Sequence, residues 1–156
     1  MVAYNIIWWL IFFVLCVIAQ SILSGIDFLI IGVIIAMQER RVIQLFWVIL
    51  AAIFVQEGVG SMPFGSALLW YSSAVIIFYS SRVLFEAENF IFIFLISVSL
   101  GFLHYVFTYM MAALHGLSID TTRLAVESLI QALIIPPLWQ LVHFLRKRVM
   151  PREDRA

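Results

Sequence analysis

Charged side chains are scarce in this sequence. Lys, Arg, Asp and Glu make up 12% of its 156 residues, whereas hydrophobic residues make up 65%. A soluble domain has about a quarter charged and about half apolar residues, so this chain could not cover a water-facing surface with polar groups. The composition therefore excludes an ordinary soluble domain and predicts an all-α integral membrane protein whose surface is covered by membrane lipid.

Cysteine and clustered basic residues are also nearly missing. Cys16 is the single cysteine and lies in an apolar run, which excludes an internal disulfide framework and gives no support to a cysteine-based metal site. The nine basic residues form no broad basic surface, so we expect no nucleic-acid partner.

Proline and glycine number only 4 and 7, and long apolar runs fill the sequence between them. About 20 apolar residues cross the hydrocarbon of a membrane, and six spans are predicted, at residues 4–23, 28–37, 43–56, 66–84, 90–114 and 123–146. No basic residues precede the first run, so we expect a retained span rather than a cleaved signal peptide. The spans form one transmembrane domain, residues 1–147, followed by a charged cytoplasmic tail, residues 148–156.

The second and third spans are separated by Gln-Glu-Arg-Arg at residues 38–41. A single helix through this segment would bury three charges in the middle of the membrane, and each charge would cost several kcal/mol. Two short helices with a turn at residues 39–41 avoid that cost. Both helices are shorter than a comfortable span, and the sequence leaves open whether they cross the membrane completely.

The positions of the basic residues predict the orientation. With six spans and the N-terminus inside, the cytoplasmic segments hold eight of the nine Lys and Arg residues, and the outer segments hold only Arg123. Because cytoplasmic loops carry an excess of Lys and Arg, both termini are expected to be cytoplasmic.

A polar stripe follows one face of the sixth span. Arg123, Glu127 and Gln131 recur every four positions, so they lie on the same side of a helix. Polar groups in a span rarely face lipid, and this stripe is therefore predicted to face the bundle interior or a partner subunit.

The fifth and sixth spans carry two further features. His104 shares a helical face with Ser97, Gly101 and Thr108, a small and polar stripe that is typical of helix packing in lipid. The other two histidines fall near helix ends, so no pair at matching depth is expected to hold haem. Pro136-Pro137 removes two backbone donors, so the sixth helix is predicted to kink or break there, and the pair is a candidate hinge.

Residue types that would support catalysis are lacking. A proton relay needs ionisable groups in a chain through the membrane, but the acidic candidates gather toward the outer side, at Asp27, Glu57, Asp120 and Glu127. No nucleotide-binding loop, zinc-binding spacing or Ser/His/Asp arrangement is found. We therefore expect no enzyme activity, no metal and no cofactor.

The order of these features resembles the MreD family, the small multi-pass subunits of the bacterial rod-shape machinery. Asp-Phe-Leu-Ile at residues 27–30 opens the short second helix that ends at residues 38–41. An apolar third helix leads into Glu-Gly-Val-Gly-Ser-Met-Pro-Phe-Gly at residues 57–65, and Ser-Leu-Ile-Gln-Ala-Leu-Ile-Ile-Pro-Pro-Leu at 128–138 precedes Arg-Lys-Arg at 146–148. The family usually has Asp in place of Glu57 and a glycine in the third helix that this chain lacks.

The resemblance implies a non-enzymatic scaffold in the bacterial inner membrane. Its fold would be similar to the substrate-binding subunits of energy-coupling-factor transporters. It would bind an MreC-like protein and, through it, a RodA-type glycan polymerase and a class B penicillin-binding transpeptidase, with no small-molecule substrate. By this resemblance the partner would meet the outer loop and the outer helix ends, where the candidates are Glu57, Gly60, Gly65, Arg123, Glu127 and Gln131.

Two other functions fit the sequence. A substrate-binding subunit of an energy-coupling-factor transporter would use the aromatic residues Trp47, Trp70 and Tyr71 near an outer cavity, although such residues are more often interfacial anchors. An accessory subunit of a membrane redox complex is the third possibility, since such subunits are small, helical and without catalytic residues.

Overall fold

The protein is described by a computed structural model that covers residues 2–23, 25–59, 65–83, 86 and 88–149, without the side chains of Val2 and Val59. These residues form helices and no strand. The helices are α1 (Val2–Ile22), α2 (Leu29–Gln38), α3 (Val42–Ile53), a π-helical turn (Phe54–Val59), α4 (Ser66–Ser81), α5 (Phe90–Leu114) and α6 (Thr121–Val149). The predicted all-α class is confirmed.

The predicted helix order agrees with this structure. The turn between the second and third helices falls at residues 39–41, and α5 has the predicted bounds. The third helix differs, because its last turn widens into the π-helical turn. The helix α6 extends beyond the predicted domain boundary to Val149, and residues 150–156 of the predicted tail lie outside the described residues.

Three helices have the length and hydropathy to cross a membrane, namely Ala3–Ile22, Phe90–Leu114 and Thr121–Val149. The other three are shorter apolar helices, Leu29–Gln38, Val42–Gly58 and Ser66–Ser81. At about 1.5 Å per residue, the ten residues of α2 extend about 15 Å, half of a hydrocarbon layer. The six predicted helices are therefore present, and half of them are long enough to be spans.

The helix α2 lies in the middle of the bundle. Its residues from Leu29 to Met37 are all buried, and it contacts α1, α3, α4 and α6. A helix that is apolar on every side is expected to be buried on every side. Gly32 leaves no room for a Cβ atom because the Phe12 ring of α1 lies against it.

The closest helix pair is α5 with α6. A Cβ atom added at Gly101 would lie 2.7 Å from the Cβ of Ala132 and 2.8 Å from the backbone oxygen of Ser128. Ser97 and His104 are buried on the same face of α5. The predicted packing role of this stripe is confirmed, since small residues let two helices approach closely.

Of the kink or break predicted at the proline pair, the break is wrong. The helix α6 continues without interruption from Thr121 to Val149, with Pro136 and Pro137 inside it. Ile135, Pro136 and Trp139 are buried against the bundle, and packing by neighbouring helices lets a helix tolerate proline in this way. A hinge at these residues stays a prediction.

Candidate functional site

The most buried carboxyl group of the described residues is that of Asp27, in the loop between α1 and α2. Its Oδ1 accepts hydrogen bonds from Gln20 Nε2 at 3.1 Å, from the Leu29 backbone N–H at 2.9 Å and from Gln56 Nε2 at 3.0 Å. Its Oδ2 accepts one from Trp70 Nε1 at 2.8 Å. A carboxylate buried to this extent requires such donors to replace water.

Gln131 of α6 completes this arrangement at the backbone of Asp27. Its Oε1 accepts from the Asp27 N–H at 2.8 Å, and its Nε2 donates to the Asp27 carbonyl at 2.9 Å. The predicted stripe thus faces the interior at Gln131, which is fully buried. We call Gln20, Asp27, Gln56, Trp70 and Gln131 the Asp27 cluster.

The Asp27 cluster joins four helical elements to the loop that precedes α2. Gln20 comes from α1, Gln56 from the π-helical turn, Trp70 from α4 and Gln131 from α6. A π-helical turn inserts an extra residue into a helix and is often found at functional sites. Here it contains Gln56, which is buried and bonded to the carboxylate.

Two more groups border the cluster without completing a hydrogen bond to it. The Tyr71 hydroxyl is fully buried within reach of Asp27 and Gln56, but it makes no well-formed hydrogen bond with the described residues. The Cys16 thiol lies 3.7 Å from the Phe28 carbonyl oxygen. The hydroxyl of Tyr71 therefore lies beside the carboxylate without being one of its four well-formed donors.

His104 extends the polar region toward α5. Its Nδ1 is 3.1 Å from the Ser128 hydroxyl, and the protonated nitrogen depends on the tautomer. Its ring meets the Trp70 ring edge to face at a centroid distance of 5.8 Å. Trp70 thus contacts the Asp27 carboxylate through its N–H and His104 through its ring.

The Arg123 end of the predicted stripe is half-exposed. Arg123 Nε donates to Glu127 Oε1 at 2.8 Å, and the Arg123 side chain is 69% exposed. The Glu127 carboxylate lies against Gly25, where an added Cβ atom would be 2.7 Å from Glu127 Cδ. Gly25 also has φ +92°, a conformation that favours glycine. The stripe therefore extends from the exposed Arg123 side chain, through Glu127 in contact with Gly25, to the buried amide of Gln131.

Glu57 performs a local structural role. Its Oε1 accepts from the Ala67 N–H at 2.9 Å and from the Leu68 N–H at 3.3 Å. These are free backbone donors of the first turn of α4, so Glu57 acts as the cap of that helix. Gly65, with φ +88° and open space around it, precedes α4, and Gly60 lies outside the described residues.

A second set of polar residues, centred on Arg146, lies at the opposite end of the bundle. Arg146 of α6 is buried, makes a two-pronged ion pair with Glu39, and donates through Nη2 to Asn5 Oδ1 at 2.9 Å. Its guanidinium carbon is 4.4 Å and 4.8 Å from the ring centroids of Trp8 and Trp9. The start of α1 and the end of α6 therefore lie at the same end, which we call the Arg146 end.

Comparisons with known proteins bring no relative: no protein-family model, no curated protein and no solved structure matches the chain. Within the described residues, no group of three His, Cys, Asp or Glu side chains could hold a metal ion. The Asp27 cluster can accept and donate hydrogen bonds. Donors from the same chain already occupy the positions around its carboxylate. The features that bear on a function are this filled cluster and the exposed Arg123 beside it.

Proposed function

We propose that the protein is a non-enzymatic scaffold subunit of the bacterial cell-elongation complex in the inner membrane, where it binds an MreC-like partner. The observation that carries this proposal is the filled coordination of the Asp27 carboxylate by four donors. An ionisable residue inside a membrane protein usually marks a transport path or a ligand site. Here the four donors to the Asp27 carboxylate all belong to the chain itself, which favours a role in holding the helices in one arrangement.

A fixed arrangement suits a binding subunit because little ordering is needed when the partner arrives. The exposed Arg123 provides a charged contact next to the fixed region, and Glu127 holds it at 2.8 Å. Glu127 in turn rests on Gly25, two residues before Asp27. An exposed charge at an interface contributes to partner choice and association rate.

The proposed orientation places the Arg146 end in the cytoplasm. Arg146 binds Glu39, which is followed directly by Arg40 and Arg41. Basic residues from two distant parts of the chain therefore meet at one end, as expected for the cytoplasmic side of a membrane protein. The Asp27 cluster and Arg123 then face the outer side, where an MreC-like partner would bind.

The test is affinity purification of the tagged full-length chain from its native membranes in mild detergent, followed by mass spectrometry. Wild type should recover an MreC-like protein or a cell-wall synthase, and Arg123→Glu should recover several-fold less. Arg148→Glu makes the same charge change at the opposite, Arg146 end and should recover as much as wild type. Equal recovery with Arg123→Glu would remove this face from the proposal.

A second function, a substrate-binding subunit of an energy-coupling-factor transporter, is favoured by one observation. The buried Tyr71 hydroxyl lies near the Asp27 carboxylate but makes no well-formed hydrogen bond with the described residues, so it could donate to a bound ligand. Of the aromatic residues considered for an outer cavity, Trp47 is exposed on α3 instead. A vitamin that co-purifies with the chain, together with paired ATPases and a coupling subunit, would support transport and retire the scaffold proposal.

A further inference from the structure

Two cations lie in the turn between α2 and α3 without an acidic partner. The carboxylate next to them, that of Glu39, is already bound by Arg146 and Gln44. Arg40 is exposed and Arg41 is half-buried, and neither forms an ion pair with a described residue. The turn therefore presents two positive charges that the described part of the chain does not neutralise.

The start of α3 adds hydrogen-bond donors to these charges. The helix begins at Val42, its N-cap residue Arg41 makes no side-chain hydrogen bond to the first turn, and that turn contains no acidic residue. The first helical bond runs from the Leu45 N–H to the Arg41 carbonyl, so the N–H groups of residues 42–44 have no acceptor within the helix. Free N–H groups and the positive end of the helix dipole both favour an anion at this point.

The same end of α3 is apolar on its outer surface. Val42 and Ile43 are 77% and 76% exposed, and Phe46 and Trp47 are exposed one turn later, about 6 Å further along the helix axis. The rings of Phe46 and Trp47 meet edge to face at a centroid distance of 5.7 Å. A ligand that matches both parts needs an anionic head and an apolar body. A soluble anion would match only the first part.

A phospholipid with net negative charge has this combination. A guanidinium group binds phosphate oxygens through two parallel hydrogen bonds, and exposed apolar side chains of a membrane protein meet acyl chains. A zwitterionic phospholipid adds a cation to its phosphate, and Arg40 and Arg41 would repel that cation. Each Lys or Arg near anionic lipid strengthens binding about 5-fold.

We propose that the turn at residues 40–41 and the first turn of α3 form a binding site for an anionic phospholipid. Its phosphate binds Arg40, Arg41 and the free N–H groups, and an acyl chain lies along Phe46 and Trp47. The site is at the Arg146 end, opposite Arg123, so it is independent of the proposed partner-binding surface.

The test is native mass spectrometry of the full-length chain in detergent, after incubation with equal amounts of phosphatidylglycerol and phosphatidylcholine that carry the same acyl chains. Wild type should retain phosphatidylglycerol in preference to phosphatidylcholine. Arg40→Gln with Arg41→Gln should reduce that preference about 5- to 25-fold. Arg40→Lys with Arg41→Lys keeps both charges and should keep most of the preference.

The matched control is Arg82→Gln with Arg148→Gln, which also removes two cations from the Arg146 end. Arg82 caps the C-terminus of α4, before Glu88, which Lys147 binds, and Arg148 lies in the last turn of α6. The helix dipole disfavours an anion at a C-terminus, so this double variant should keep the wild-type preference.

Three results would overturn the proposal. The first is a wild-type chain that retains the two lipids equally. The second is an equal loss of preference in the two glutamine double variants, which would indicate diffuse attraction rather than a site. The third is displacement of the bound lipid by excess inorganic phosphate, which would indicate a site for a soluble anion. Phosphatidylglycerol that stays bound in excess phosphate supports the lipid site.

Discussion

Replacing Asp27 by Asn tests whether the filled carboxylate stabilises the bundle. If the Asn carbonyl oxygen takes the position of Oδ1, it keeps the bonds from Gln20, Leu29 and Gln56, which lie at 2.9–3.1 Å. The amide group then takes the position of Oδ2 and turns its N–H groups toward the Trp70 N–H, at 2.8 Å in the wild type. Two donors face each other, and the opposite amide orientation would create three such conflicts.

The expected cost follows from these contacts. A hydrogen bond to a charged group is worth about 1.5 to 3 kcal/mol, and each buried donor left without an acceptor costs about 1 to 3 kcal/mol. Removing the buried charge offsets part of this. We therefore expect Asp27→Asn to lower the free energy of unfolding by about 2 to 4 kcal/mol, measured by titrating the full chain with a denaturing detergent in mixed micelles.

A double-mutant cycle with Trp70→Phe separates this reason from a general loss of packing. Trp70→Phe removes the opposing donor, so it should cost less in the Asp27→Asn background than in the wild type, with a coupling of about 1 to 3 kcal/mol. The loss of indole volume occurs in both backgrounds and cancels. Additive effects, or an Asp27→Asn variant within about 0.5 kcal/mol of wild type, would refute the assigned role of the carboxylate.

Two further substitutions test helix contacts by the same measurement. Gly101→Ala should destabilise the chain by about 1 to 3 kcal/mol, because the new Cβ would lie 2.7 Å from the Cβ of Ala132. The control Gly58→Ala, whose Cβ would have no atom within 4 Å, should be close to neutral. Equal effects of the two substitutions would contradict the close packing of α5 on α6. Arg146→Gln should cost about 3 to 5 kcal/mol, because the largely buried Glu39 carboxylate loses its cation and keeps only the hydrogen bond from Gln44. Adding Glu39→Gln should restore part of that loss, and no recovery in the double variant would contradict the assigned ion pair.

Helix positions followed from the sequence because they depend on local pattern. The bounds of α5 were predicted from an apolar run between Asn89 and His115, and the structure begins and ends the helix there. Asn89 also accepts a hydrogen bond from the Ile91 N–H at 2.9 Å, a cap of the expected kind. The sixth span was predicted to extend past Pro136, but its continuity through the proline pair was not, because tertiary packing outweighs the local effect of proline.

The Asp27 cluster was missed for the opposite reason. Asp27 follows Gly25 outside the helices, and the sequence pattern places it only among several acidic residues near the predicted outer side. Its burial depends on Gln56, Trp70 and Gln131, which lie 29, 43 and 104 positions away, and no local periodicity records such contacts. A signal was present, because an amide within an apolar segment requires a hydrogen-bonding partner. Gln131 was recognised in this way, but its partner was not.

The complete burial of α2 has a consequence for how the protein is made. Helices enter the membrane from the translocon in the order of their synthesis, and α2 leaves the ribosome before α3, α4 and α6, three of the four helices that contact it. With only ten residues, α2 is too short to span the bilayer by itself before the later helices are inserted. Its final position is therefore reached late in biogenesis, after α6 has been inserted and Gln131 can bind the backbone of Asp27. A chain truncated before α6 should consequently be left with an unassembled centre and become a substrate for membrane quality control.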